Sequence, residues 1–300
     1  MNYVVAVDVG GTDIKSALVD SEFTIIETAT APTPKGDASG TETVKIISHL
    51  VREFATLHPV DAVGLVVPGA LDEAAGKSRW SGNLHWEDLP IRDLLFNEIK
   101  LPVAFGHDVR TAAIAELRRG AARGAANAIF IPVGTGIAAA LIIDGQIRAA
   151  DGYAGEIGHV NVGGKYPCVC GKTGCLEAAS STLAISKAYE GLAQKSGTTT
   201  EEIFRLVVSG DPIAVQVWDE ATSAMARACE MLITILAPEI IVFGGGLSNA
   251  GETFTAPIQR YLDENLTFQR KPQLEIAHFG AKAGTIGSAM MAFDLVKAGL

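Results

Sequence analysis

Aromatic residues make up only 6% of this 300-residue chain, while glycine reaches 32 positions, about one in nine. That balance describes a chain of tight turns and close backbone approach, and it suits an α/β enzyme with phosphate-handling loops. Positive charge is also scarce: 24 Lys and Arg stand against 34 Asp and Glu, for a net charge of −10. Such a surface repels a polyphosphate backbone, so nucleic acid and anionic membranes are excluded as natural partners. The first residues, Met1-Asn2-Tyr3-Val4-Val5-Ala6-Val7-Asp8, lack a basic region followed by an apolar stretch and a small-residue cleavage site. No signal peptide is read there, and a cytoplasmic protein is expected. The longest uncharged run, Ala126 to Ile143, carries Asn127, Pro132, Gly134, Thr135 and Gly136 and reads as two strands and a turn rather than a membrane span. Charged residues are 19% and apolar residues 48%. Enough burial is therefore available to offset the entropy of ordering, and long disorder is excluded.

Single cores stop growing near ~250–300 residues, so two lobes are expected. Strands are read at 3–8, 14–20 and near 23–29, followed by a helix in which Val44, Ile47, Leu50, Val51 and Phe54 share one face. Next come the apolar run Val63–Val67, ended by Pro68-Gly69, a loop carrying Trp80 and Trp86, a helix near 88–99, strand 102–106 and a helix over 109–119. After Gly120 the pattern restarts. Strand Ala128–Val133, turn Gly134-Thr135-Gly136 and strand Ile137–Ile143 repeat the plan of Val7–Asp20 at an offset of 124 residues, with Val9 on Val133, Gly10 on Gly134 and Asp20 on Asp144. Helices within 177–192 and 199–209, a long helix 211–236, strand Ile240–Phe243 and a tail helix 282–298 complete the reading.

Asp8-Val9-Gly10-Gly11-Thr12 joins two strands. Its glycines let amide groups approach phosphate oxygens, Thr12 adds a hydroxyl, and Asp8 suits a hydrated Mg2+; a plain hairpin bearing an Asp is the alternative. Gly134-Thr135-Gly136 is a second such turn, and two of them in a duplicated plan favour the phosphate reading. Gly244-Gly245-Gly246 follows a buried strand and either admits a flat ligand such as a purine or makes a strand-to-helix turn. The four cysteines fall as a cluster of three plus a distant Cys229, rather than as an extracellular disulfide ladder. His159, Cys168, Cys170 and Cys175 supply four N and S ligands in 17 residues, a closed tetrahedral set for structural Zn2+, whereas Cys229 reads as a core residue. Asp108 follows a strand and opens a helix, either as a carboxylate at the sheet's ligand-binding edge or as an ordinary helix cap. Glu156, His159 and Glu177 flank the cysteine loop, and a metal clip would gather them into a polar cluster suited to sugar hydroxyls.

Taken together, these segments resemble the ROK family of sugar kinases and regulators, within the actin-like ATPase superfamily. The likeness runs from Asp8–Thr12 through Val67-Pro68-Gly69 and Gly155-Glu156-Ile157-Gly158-His159 to Cys168-Val169-Cys170-Gly171-Lys172-Thr173-Gly174-Cys175-Leu176-Glu177, Pro238 and Gly244–Gly246. The resemblance implies an α/β, two-lobed actin-like (ribonuclease H-like) ATPase fold with a duplicated βββαβαβα plan and a zinc-clipped loop at 159–175. It places the first lobe at 1–118 plus 282–300 and the second at 119–281. It further implies ATP-dependent phosphorylation of a hexose such as glucose, or of an N-acetylhexosamine, with Asp108 as base on the 6-hydroxyl. Gly69, Asn83, His107, Glu156, His159 and Glu177 would lie at the sugar; Asp8, Gly10, Gly11, Thr12, the 134–136 turn and the 244–246 turn would lie at ATP and Mg2+. A homodimer is expected by the same likeness. His107 departs from the pattern, because family kinases commonly have Asn immediately before the catalytic Asp; Asp13 also stands where Lys is frequent. No room precedes the first strand for a helix-turn-helix, which favours kinase over transcription factor.

Overall fold

The computed structural model describes residues 2–299. Two compact units are present, and residues 1 and 300, which the expected lobe boundaries include, lie outside the described residues. The first unit takes the chain up to Arg118, a short return at Ala149–Tyr153 and the segment from Lys282 onward. Its elements are β1 (Tyr3–Val9), β2 (Asp13–Asp20), β3 (Ile25–Pro32), α1 (Thr41–Ala55), β4 (Val60–Val67), β5 (Ala70–Asp72), β6 (Lys77–Ser81), β7 (Trp86–Leu89), α2 (Ile91–Ile99), β8 (Val103–His107) and α3 (Asp108–Arg119).

The main sheet runs β3-β2-β1-β4-β8, antiparallel across β1–β3 and parallel through β4 and β8. Because side chains alternate across a strand, β1 feeds two cores. Val5, Val7 and Val9 pack with Val44, Ile47 and Val51 of α1 and with Leu95 of α2. Val4 and Ala6 face the other way, onto Ala289, Ala292 and Phe293 of a returning helix, Ala283–Ala298. That helix approaches at backbone distance: a Cβ on Gly64 would collide with the Ser288 carbonyl, and one on Gly287 with the Thr111 carbonyl.

The Trp80–Trp86 stretch, expected from the sequence to be a loop, is instead a small antiparallel sheet, β5-β6-β7. Trp86 is fully buried there, and its indole N–H donates to the Asp37 carbonyl at 2.9 Å. Gly69 turns the chain into β5 at φ 110°, where a Cβ would strike the Trp80 carbonyl. Where the sequence suggests one unbroken run 119–281, Ala149–Tyr153 goes with the first unit, since Gly152 at φ 93° lies against the Leu71 backbone.

The second unit contains β9 (Ala128–Pro132), β10 (Ala140–Ile143), β11 (Gln146–Arg148), α4 (Glu177–Ser180), α5 (Thr182–Ala193), α6 (Thr200–Ser209), α7 (Pro212–Leu236), β12 (Ile240–Gly244), α8 (Glu252–Asn265) and β13 (Gln273–Ile276). Its sheet order, β11-β10-β9-β12-β13, repeats the first unit's plan of three antiparallel strands followed by two parallel ones. The duplication read from Val7–Asp20 and Ile131–Asp144 is thus a duplication of topology. The strand expected over Ile137–Ile143 is shorter than read, because the Ala139 amide donates to the Gly155 carbonyl at 2.7 Å and leaves only Ala140–Ile143 in the ladder. Ile131, Trp218, Phe243 and Phe254 anchor the core, the last three through edge-on ring contacts. Among the described residues no helix is long and apolar enough to cross a membrane.

Candidate active site and metal centre

In the first unit the candidate residues occupy the carboxyl ends of β1 and β8 and the loops beside them. Asp8 lies near the end of β1, opposite Lys15 on β2. Burial pushes its carboxyl above the usual range and Lys15 partly opposes this. A desolvated carboxylate beside amide-rich backbone is a fitting donor for a hydrated divalent cation. The turn that follows is braced from outside: the Gly10 carbonyl accepts from Thr33 Oγ1 at 2.7 Å, and the Gly11 carbonyl from Lys35 Nζ at 2.8 Å. The Gly10 amide closes the hairpin on the Asp13 carbonyl at 2.9 Å. Asn83 sits directly against Gly11, where a Cβ would come within 3.1 Å of its own Cβ.

Asp108 is the first residue of α3, immediately past β8, and its side chain is 37% exposed. Its Oδ1 accepts from the Val109 amide at 2.7 Å and lies 3.1 Å from Nδ1 of His107. His107 closes β8 and is buried. Burial, reinforced by the cation of Arg110, pushes its imidazole down to about 3, so the ring is neutral at physiological pH. Two partners of this turn carry no sequence motif: Glu73 Oε1 accepts from the His107 amide and from Arg110 Nε, each at 3.1 Å. The only sequence signal for Arg110 is a cation on the core-facing side of a helix, where charge is seldom buried unpaired.

In the second unit the turn Gly134-Thr135-Gly136 joins β9 to β10, and the Gly134 carbonyl accepts from the Thr182 amide at 2.8 Å. Glu177 opens α4 and reaches back to this turn: its Oε2 accepts from the Ile137 amide at 2.9 Å. Gly136 makes room for that carboxylate, since a Cβ there would stand 2.7 Å from Oε2, while a Cβ on Gly158 would collide with the Ile137 carbonyl. Glu156 is exposed, just ahead of the short turn Ile157–His159.

The three glycines after β12 have different reasons. Gly244 lies over the Phe130 ring, and Gly245, at φ 74°, would drive a Cβ into the Val133 backbone at 2.5 Å. Gly246 is open, with nothing within 4 Å of where a Cβ would stand, and borders a cavity of about 520 Å³ shared with Thr182, Phe204, Trp218 and Asn249. Cavities of this size accommodate compact ligands.

His159, Cys168, Cys170 and Cys175 converge so that one ligand atom from each lies within 4.8 Å of all the others. His159 Nδ1 is 3.6 Å from Cys168 Sγ, and Cys170 Sγ is 3.6 Å from Cys175 Sγ. Zinc–sulfur bonds of about 2.3 Å in a tetrahedron place sulfurs roughly 3.8 Å apart, so the donor set and its spacing fit Zn2+. The Cys168 amide donates to the Lys172 carbonyl at 2.8 Å, and Gly171 and Gly174, both at φ 85°, bend the loop inward. Cys229 is fully buried in the core, apart from this cluster.

Comparison with known proteins agrees with this architecture. The sequence pattern described as the ROK family matches residues 4–295. A glucokinase of Halalkalibacterium halodurans is 34% identical, the match covering 96% of this chain and 94% of that protein. Among solved structures, a ROK hexokinase from Thermus thermophilus is 31% identical with a TM-score of 0.80 over 99% of both chains. A ROK glucokinase from Streptomyces griseus, solved with glucose and AMPPNP, is 29% identical with a TM-score of 0.83, covering 98% of this chain and all of that one.

Proposed function

The chain belongs to the ROK family, and on that premise we propose that it is an ATP-dependent hexose kinase that phosphorylates the 6-hydroxyl of glucose or a closely related hexose. The observation that carries the reading is Asp108, a part-exposed carboxylate at the carboxyl end of a parallel strand, in a chain matched along nearly its whole length by glucokinases. Asp108 accepts the proton of the attacking hydroxyl as its oxygen bonds to the γ-phosphorus and the bond to the β-phosphate oxygen breaks, releasing ADP. Such general-base help contributes roughly 10²–10⁴ in rate. Asn83, Gly69 and His107 in the first unit, and Glu156, His159 and Glu177 in the second, are assigned to the sugar. The turns at Gly10–Thr12, Gly134–Gly136 and Gly244–Gly246 are assigned to ATP, with the adenine in the cavity beside Gly246. Mg2+, held through Asp8, would supply neutralisation of phosphate charge when bound. Zn2+ would hold the 159–175 loop and, through Nδ1 of His159, orient that ring toward sugar. A homodimer belongs to the same proposal, and sedimentation equilibrium reads it directly.

The test is ADP release with Mg2+-ATP across glucose, mannose, fructose, N-acetylglucosamine, N-acetylmannosamine and no sugar. Sugar-dependent ADP is expected, reduced by at least about 10²-fold in Asp108→Asn. An N-acetylated sugar as the best substrate would move the assignment within the family. A sugar that raises the melting temperature without any ADP would replace the kinase reading with that of a sugar-binding regulator.

A further inference from the structure

The cysteine loop leaves the body of the second unit and returns to it as two paired arms. The Val162 amide donates to the Gly174 carbonyl at 2.9 Å, the Gly174 amide to the Tyr166 carbonyl at 3.1 Å and the Leu176 amide to the Val160 carbonyl at 3.0 Å. Val162 and Leu176 are buried in the unit's core, but Gly163 and Gly164, which come next on the outgoing arm, bring no side chains to pack. From Gly163 to Tyr166 that arm borders a cavity of about 820 Å³, which it shares with Asp219 and Ser223 of α7. Two side chains of α7 tie the arm down beside this space. Arg227 Nε donates to the buried Val162 carbonyl at 2.6 Å, and Glu220 Oε2 accepts from the Tyr166 hydroxyl at 2.9 Å. Gln216 Nε2 donates to the other oxygen of Glu220 at 3.3 Å and steadies it. Glu220 and Arg227 are two helical turns apart and share one face of α7. A bond at each end of the glycine pair fixes a direction that glycines by themselves leave free.

Direction matters because the four metal-type ligands come from opposite ends of the loop. His159 precedes the outgoing arm and Cys175 lies on the returning one, whereas Cys168 and Cys170 lie beyond Tyr166. We propose that Arg227 and Glu220, acting through Val162 and Tyr166, are positioning residues that aim the outgoing arm so that Cys168 and Cys170 meet His159 and Cys175. Through His159 they also set the sugar contact; that consequence rests on the hexose-kinase reading, and the aiming of the arm does not.

The experiment has three readouts on the full chain. Hydrogen exchange is followed first, with zinc chelated. In the unaltered protein the amides of Val162, Gly174 and Leu176 are expected to stay protected, while those of Cys168 and Gly171 at the loop's tip exchange quickly. Arg227→Met and Tyr166→Phe are expected to lose protection at Val162 and Gly174 as well, and Glu220→Gln, which keeps an accepting oxygen, is expected to retain it. Zn2+ affinity, measured by competition with a colorimetric chelator, is expected to fall roughly 10-fold in Arg227→Met, with partial recovery in Arg227→Lys. The sugar KM is expected to rise severalfold in Arg227→Met, with kcat and the ATP KM within about twofold. Equal protection of Val162 and Gly174 in every folded variant overturns the proposal, as does a general loss of thermal stability at unchanged Zn2+ affinity and sugar KM. Failure to take up zinc refutes the metal reading, and failure to turn over any sugar refutes the kinase reading. In either event the exchange at Val162 and Gly174 still decides whether α7 aims the arm.

Discussion

His107 couples protonation to folding. An unfolded histidine takes up a proton near pH 6.5, but burial and Arg110 keep the folded ring neutral down to about 3. Between those values the unfolded state binds more protons, so this residue's contribution to stability is complete above about 6.5 and is lost as pH falls toward 3. Urea midpoints measured from pH 7 to pH 5 are expected to fall more steeply for the native sequence than for His107→Asn; equal slopes would show that the ring titrates normally. Among the cysteines, Cys175 is buried and shares one cluster with Cys168, Cys170 and His159. Elemental analysis should find about one zinc per chain, and Cys175→Ser should abolish it and lower the melting temperature by several degrees. At this scale the sequence was informative where chemistry is local. Three cysteines within eight residues announce a ligand set, whereas Glu73 and Arg110, 37 residues apart, meet only through the pairing of strands and bear no motif.

Glycines in helices separate two opposing effects at the scale of the element. Replacing helical Gly with Ala gains up to about 1 kcal/mol when the site is open. Gly191 in α5 has nothing within 4 Å of a new Cβ, so Gly191→Ala should stabilise. Gly287 in the returning helix lies against the Thr111 carbonyl, which α3 cannot move without losing its own packing. There overpacking costs about 1–3 kcal/mol and outweighs the propensity gain, so Gly287→Ala should lower the melting temperature, by roughly 2–4 °C per kcal/mol. A melting temperature equal to or above that of the native sequence would mean that the helix shifts freely on its sheet. Legibility at this level followed element length. The amphipathic face of α1 and the apolar run of β4 were plain, but β5, β6 and β7 span three to five residues each, too few to show alternation. Pro257 inside α8 and the four-residue β13 likewise hid the elements after Gly246.

For the whole molecule, the repeated sheet order could be sensed from one strand–turn–strand match at an offset of 124 residues, because a hairpin keeps its pattern of apolar residues and glycines. Long-range assembly of the first unit was harder to read, since its parts are scattered along the chain. Removing residues from 282 onward would strip the cover from Val4, Ala6 and Ala62. Hydrogen exchange is expected to show loss of protection in β1 and β4 while β9 and β12 keep theirs, because the second sheet packs on α7 and α8 instead. Equal protection in both sheets would deny the returning helix its structural role.

The same arrangement sets an order of events during synthesis. The strand that carries Asp8 is made well before Ala283–Ala298, and one face of its sheet must wait for that helix to leave the ribosome. The second unit, built from intervening chain, can complete its own core earlier. An apolar sheet face held open until then is a surface that a chaperone can recognise, and ribosome-bound chains stalled before residue 282 are where such capture would be seen.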